Sequence, residues 1–416
     1  MSMANKRFLV VDLGLFTENA VRLARDAAEV FYYTIHEDPF PEPFQAKIGE
    51  GLEGIERVWH WGQYIDKVDG IFIPDTMFAD FTEWLKSHDY PVAGAGASEK
   101  LELDRYFGRK VQGKNGLPVQ DTNKVKGVTA LRKFTEENSD YYVKIDAFRG
   151  LEETFCYKDV KDAEQTIDTI ASKLGPYKEE TVFILEEKLD GGVEPGIDFI
   201  TFDDELVYPT MIGYESKSVG IIERVYKDES ELPDAAQWAY EGFAPEFKKN
   251  KTRFFASLEF LIGKDKLPYV IDPTVRLAAP GVAAIQTELF ENYSEVVYGL
   301  CRGEMVKPII KHKYAVAAAM ESSAAEKNWV NISFPKEMRQ WVKFRMAVKH
   351  KNDYYAVPGM DSLGTIIAFG NTIDEALKTV KERSEQVEGK RLSVSILDLE
   401  KVVDKIEEGR KYGIDF

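Results

Sequence analysis

The sequence predicts a fold that opens as α/β and continues as α+β. Three observations predict it. Apolar, strand-like runs alternate with amphipathic helices up to about residue 97. Beyond that point the strand-like runs follow one another around a single helix, as antiparallel strands do. The chain has 416 residues, more than one ordinary core holds, so two or three packed units are expected.

In the opening segment RFLVVD (7–12) is a continuous apolar run and reads as a buried strand. Thr17 is placed to cap a helix whose Ala20, Val21, Leu23, Ala24, Ala27 and Ala28 share one stripe, and EVFYYT follows as a second strand. DGIFIPD, TMFADFTEWLKSH with Thr76 as its cap, and YPVAGAG repeat the pattern. Strands alternating with helices imply a parallel sheet covered on both faces. DLGLFTEN places Gly14 just after the first strand but lacks G-x-G-x-x-G, so a tight strand-to-helix turn is favoured over a phosphate loop.

The character changes near residue 97. A helix, SEKLELDRYFGRKVQ, runs into the breakers GKNGLPV. YYVKI (141–145), ETFCY (153–157), TVFILEEKL (181–189) and GIDFITF (196–202) read as antiparallel strands around a helix at 160–173. RFFASLEFLI and LPYVIDPTVR form a hairpin joined by GKDK. The tail carries GTIIAFGNTIDEALKTVKERSEQV, a strand and a capped helix, then a charged helix from about Leu397. No fixed-period repeat is visible.

Composition narrows the function classes. Hydrophobic residues at 44% and charged residues at 30% describe a water-soluble globular chain. No apolar run approaches the roughly 20 residues that cross a bilayer, so a cytoplasmic protein without a membrane partner is expected. Cys156 and Cys301 suit neither a zinc site nor a disulfide framework, and the five histidines show no ligand spacing. A net charge of -17 argues against nucleic acid as the main partner, although a local basic site for a nucleotide triphosphate remains compatible with it.

The hairpin at 254–276 is the most informative segment. With its turn midpoint between residues 265 and 266, Glu259 falls opposite Asp272. Directly opposed acids lie about 5 Å apart and repel unless a cation lies between them, for which magnesium is the economical choice. Period two adds Thr274 and Arg276 to the face of Asp272 and turns Val275 away. The alternative is a solvated outer face, disfavoured by Phe254, Phe255, Leu258, Leu261, Tyr269 and Ile271. Lys144 lies between Val143 and Ile145 and needs an anion, either a phosphate or a structural carboxylate. FILEEKLDGGVE could lay backbone against an adenine edge with Glu194 at the ribose, but taken alone it suits an ordinary strand exit better.

In order and spacing, PVAGAGASEK, LDRYFGRK, YYVKI, EEKL, the Glu and Asp-x-Thr-x-Arg hairpin and TIIAFGNTIDEAL resemble the ATP-grasp superfamily, and within it the phosphoribosylamine–glycine ligases. The resemblance covers nearly the whole chain. It implies a Rossmann-like N-terminal domain (1–97), a linking helix and connection (98–130), a nucleotide lid (131–205), a catalytic subdomain with the metal hairpin (206–325) and a small C-terminal domain (326–416). It also implies site roles. Arg105 and Lys144 would contact phosphates, Glu186, Lys188 and the Leu189 amide would form the adenine hinge, and Glu194 would hold the ribose. Glu259 and Asp272, with Thr274 in the usual asparagine position, would bind Mg2+ or alternatively Mn2+. Arg276 would steady the transferred phosphate, and Lys217 of YESKSVG would add a γ-phosphate contact.

The activity so implied is ATP-dependent, ADP-forming joining of a small carboxylate to an amine through an acyl phosphate. AFRGLEET stands where the family has a glycine-rich loop, VRLAAPG departs from the usual substrate-fixing sequence, and no N-T-G-G-M-G run follows YPTMIGYESK, so different substrates are expected. An ATP-grasp phosphotransferase and a catalytically silent ATP-binding protein are the alternatives. A homodimer is left open.

Overall fold

The computed structural model describes residues 2–34, 47–146, 154–189, 191–216, 218–278 and 281–416. The first sheet joins β1 (Arg7–Asp12), β2 (Glu29–Thr34), β3 (Ile55–Arg57), β4 (Gly70–Phe72) and β5 (Val92–Ala93) in the order β3-β2-β1-β4-β5, every pair parallel. β1 is buried on both faces, which is why its sequence shows no alternation.

Its two helices start differently from expectation. α1 (Thr17–Ala24) takes Thr17 as its first residue, with no side-chain cap. The turn before it is closed by Asp12, which accepts amides from Gly14, Leu15 and Phe16, with Gly14 at φ +96°. Those amides are already committed, as the tight-turn reading expects. α2 (Ala79–Ser87) begins three residues after Thr76, whose amide Asp75 accepts, and Glu99 accepts the Phe78 amide at 3.0 Å. Neither helix has a side-chain cap; carboxylates hold the turns that lead into them instead.

The helix expected from Ser98 is broken. A 3-10 turn (Gly96–Glu99) and α3 (Lys100–Leu103) lead to Asp104, which leaves helical geometry and caps α4 (Arg105–Lys114) by accepting the Phe107 amide at 2.9 Å. That break sets Arg105 at the first position of α4.

The second sheet is antiparallel and four-stranded: β6 (Thr122–Lys126), β7 (Tyr141–Ile145), β8 (Thr154–Tyr157) and β9 (Val182–Glu187), ordered β6-β9-β7-β8. α5 (Val128–Glu137) and α6 (Val160–Leu174) pack on it around Leu131, Val143, Ile167, Phe183 and Leu185.

The third sheet has nine strands. It includes β10 (Gly196–Phe202), β11 (Glu205–Ser216), β12 (Gly220–Tyr226), β13 (Arg253–Ile262), β14 (Pro268–Thr274) and β15 (Tyr314–Ser322), ordered β14-β13-β10-β11-β12-β15 and continuing into Ser362–Gly370 and Val342–Phe344. The boundary expected at 205 would put β10 in the lid, but β10 pairs with β11 and β13. Its residues 197–201 are buried on both faces, as an interior strand of a large sheet requires.

One face of this sheet carries Ile197, Phe199, Ile212 and Ile222 and shares a core with α7 (Asp234–Lys249). The opposite face meets α8 (Gly281–Leu289) and α9 (Tyr293–Arg302) through Ile200, Met211, Ile221 and Val225. At the end of the chain, α10 (Ile373–Ser384) has a Thr372–Glu375 capping box, and α11 (Ile396–Lys411) packs against β11 and β12. No described helix is long and apolar enough to cross a membrane.

Candidate nucleotide and metal site

Glu259 and Asp272 are Cα partners across β13 and β14, as the hairpin reading requires. The route to that register is different. The turn pairs about Asp265, with Ile262 opposite Pro268 and Phe260 opposite Val270, and an extra residue at Ile271 then shifts the register by one. Below the bulge Ser257 faces Thr274, so the two acids, Ser257 and Thr274 share one face, while Val275 is buried. The acids open onto a cleft of about 310 Å³ that Thr274, Arg276 and Glu194 also line.

Basic residues converge on this hairpin. Arg105 donates from Nη1 to Asp272 Oδ1 at 3.2 Å, and its backbone amide donates to Asp146 at 3.2 Å. Lys144 Nζ lies 2.8 Å from Glu186 Oε2 and donates to the Ile271 carbonyl at 3.2 Å. Arg109, which sequence reasoning missed, donates from Nε to Glu186 Oε1 and from Nη2 to the same carbonyl, both at 2.5 Å.

Glu186 is therefore enclosed by two cations and 1% exposed. Burial pushes its carboxyl up, but Arg109 and Lys144 outweigh that and hold it at about 2. Its side chain is spent on orienting Lys144, so the adenine-hinge role carried by the resemblance does not suit it.

Of the other hinge residues, Lys188 is exposed and its amide donates to the Asp140 carbonyl at 2.8 Å, while Leu189 is half-buried. Glu194 is exposed at the cleft. Between them Gly192, at φ +113°, lies so close to the hairpin that a Cβ would sit 2.1 Å from the Ile262 carbonyl oxygen. The glycine pair thus lets this segment bridge to β13 through Val193 and Ile262.

Arg276 is held by Glu102 of α3, Nε to Oε1 at 3.1 Å, with Asp75, in the turn between β4 and α2, 3.9 Å away. Lys217 lies outside the described residues. Glu259, Asp272, Thr274, Arg276 and Glu194 therefore line one cleft, with Arg105 on Asp272 and Lys144 behind Ile271.

Sequence reasoning also missed Asp198 of β10 and Glu223 of β12, buried acids on the cleft face of the large sheet. Among the described residues no group of three or more His, Cys, Asp or Glu side chains converges as a metal site. Two opposed carboxylates still fit magnesium, which takes its remaining ligands from phosphate and water.

No protein-family model and no curated protein sequence matches the chain. Solved structures do. The phosphoribosylamine–glycine ligase of Thermotoga maritima is 17% identical, with a TM-score of 0.70 over 93% of this chain and 98% of that one. The biotin carboxylase domain of the Hydrogenobacter thermophilus 2-oxoglutarate carboxylase is 12% identical, with a TM-score of 0.71 over 97% and 95%. The biotin carboxylase of Campylobacter jejuni is 14% identical, with a TM-score of 0.67 over 95% and 94%. All three are ATP-grasp enzymes, and likeness of that extent at so low an identity establishes architecture: the chain has the ATP-grasp fold over nearly its whole length.

Proposed function

We propose that the chain is an ATP-dependent carboxylate–amine ligase of the ADP-forming, acyl-phosphate type, acting on small molecules other than those of the phosphoribosylamine–glycine ligases. The observation that carries this reading is the Glu259–Asp272 pair facing one cleft with Arg276, while Arg105 is bonded to Asp272 and Lys144 stands behind the bulge. Its support from likeness is that solved neighbours include complexes with MgADP and an L-amino acid ligase from Bacillus licheniformis.

The electrostatic difficulty of the reaction is that an anionic carboxylate must approach an anionic triphosphate. Glu259 and Asp272 would hold magnesium, with Thr274 beside them; when bound it supplies charge neutralisation and polarisation of the phosphoryl oxygens. Arg105 sits where it can exchange Asp272 for a phosphate. Lys144, oriented by Glu186, offers a fixed ammonium to the same chain of phosphates. Arg276, clamped by Glu102, presents its guanidinium to the transferred phosphoryl group and the acyl phosphate.

Lys188, the Leu189 amide and Glu194 are proposed for the base and ribose, with Lys217 a further γ-phosphate contact. The expected five-part division is proposed with one change, a lid from 122 to 187 rather than 131 to 205, which the strand pairing supports. The test is ADP release from MgATP in the presence of amino acids and short dicarboxylates, singly and in pairs. ADP that requires both a carboxylate and an amine supports the ligase. ADP that requires the carboxylate alone and leaves a stable phosphorylated product indicates a phosphotransferase. MgATP binding without turnover on any pair indicates a silent binder.

A further inference from the structure

On the cleft face of the large sheet, strand pairing aligns Asp272, Glu259, Gly196, Gly213 and Glu223 in one row across β14, β13, β10, β11 and β12. The next row holds Thr274, Ser257 and Asp198. Strands lie about 4.8 Å apart, which puts the Glu223 backbone about 14 Å from that of Glu259. The two glycines between them leave a trough. A Cβ on Gly213 would fall 2.2 Å from Glu223 Oε1, so this carboxylate leans over Gly213 toward the metal hairpin and fills the place of the missing side chain.

Asp198 is 3% exposed and Glu223 fully buried, yet Asp198 Oδ1 and both Glu223 oxygens make no well-formed hydrogen bond. Among the described residues neither carboxyl is ion-paired with Lys, Arg or His. Buried negative charge without a cation beside it is costly, and packing alone gives no reason to keep two acids at this depth. Asp198 and Gly213 line the same cleft as Glu259 and Asp272.

We propose that Asp198 and Glu223 form the subsite that receives the ammonium group of the acceptor amine, a role that rests on the ligase reading above. Ser257 and the contact between the two carboxyls give the pair some hydrogen bonds, and an ammonium adds further donors and the positive charge that no described Lys, Arg or His supplies. Burial pushes Asp198 up to about 7, and burial together with the charge of Asp198 pushes Glu223 well above the carboxylate range. The pair therefore shares a proton near neutrality and presents about one negative charge, the match for one ammonium. Ser257 of β13 and Glu215 of β11 face it, and Lys405 of α11 lines the same cleft while donating to the Glu215 carbonyl at 3.0 Å.

In the second half-reaction the ammonium gives one proton to the pair, and the freed lone pair forms the C–N bond at the acyl carbon. The C–O bond to phosphate breaks, and the leaving phosphate takes that electron pair together with the second nitrogen proton. The pair then returns its proton to solvent.

The test uses hydroxylamine, a neutral nucleophile at neutral pH that needs neither ammonium recognition nor prior deprotonation. With MgATP and a panel of amino acids, acyl hydroxamate and amide are measured side by side for the wild type, Asp198→Asn and Glu223→Gln. The ratio of amide to hydroxamate should fall on the order of a hundredfold in both variants, with a raised KM for the amine. An unchanged ratio in both overturns the proposal, as does loss of both products together, which would mean that the pair serves folding or activation. Loss of a second bound Mn2+ in the variants would make the pair a metal site and overturn it too. A wild type that forms neither product with ATP overturns the ligase reading itself.

Discussion

Glu186→Gln removes the one negative charge between Arg109 and Lys144 while keeping the size of the side chain. At roughly 1.4 kcal/mol per tenfold, moving this carboxyl from 4.5 to about 2 represents on the order of 3 kcal/mol in favour of the charged form. The glutamine must also leave two buried cations facing each other, a loss of about 3–5 kcal/mol in comparable buried pairs. A destabilisation of about 3 kcal/mol at neutral pH is expected. The folded pKa is depressed, so the contribution is present above the unfolded value of about 4.5 and drains away as pH falls towards about 2. Urea unfolding followed by circular dichroism should therefore separate wild type and variant by about 3 kcal/mol at neutral pH, and by much less when the pH is lowered into the range 2 to 4.5. An equal difference at both pH values, or none at neutral pH, would refute the claim that Glu186 works as an ion-paired anion.

Asp272→Asn should abolish magnesium-dependent ATP turnover, by on the order of a hundredfold or more. Its stability should change by less than about 1 kcal/mol because the side chain is 37% exposed; turnover like that of the wild type removes Asp272 from the site. Gly192→Ala places a Cβ 2.1 Å from the Ile262 oxygen at φ +113°, so it should cost more than about 2 kcal/mol in thermal unfolding and weaken ATP binding. An unchanged melting temperature would contradict the close approach. Thr372→Ala removes the capping box of α10 and should cost about 1 kcal/mol, with ATP affinity retained in an equilibrium titration.

What could be read in the sequence follows the range of the interactions concerned. The parallel first sheet was visible because FLVV of β1 and β4 are continuously apolar, whereas the acid pair was reached with a turn centre half a residue off, which the unforeseen bulge at Ile271 offsets. Lys144 stood out as a charge inside an apolar strand: its carboxylate partner is Glu186, and the phosphate contact is part of the proposed site. Asp198 in GIDFITF and Glu223 in GIIERVY carry the same kind of signal, a lone acid among apolar neighbours. Their meaning depends on β10 and β12 flanking β11, a pairing between strands that the local pattern does not fix. Arg109 was hidden for the same reason, because its partner is 77 residues away. The threonine caps failed because the turns held by Asp12 and Asp75 start the helices at other residues, with Phe16 and Phe78 in the cap positions and the Phe78 amide taken by Glu99.

The bulge at Ile271 ties these pieces into one device. Had the pairing set by the turn continued without it, Ile271 would have faced Glu259 and Asp272 would have pointed to the other side of the sheet. The extra residue returns Asp272 to the cleft face. It also interrupts the ladder at Ile271, and the carbonyl of that residue is the one that accepts from both Arg109 and Lys144. Acid pairing and lysine placement are thus set by the same backbone irregularity, with Glu186 closing the circuit from β9. A charge change on either side of Ile271 is therefore felt on the other, and Lys144 of the second sheet is referenced to the Glu259–Asp272 hairpin through main chain rather than through a flexible side-chain pair.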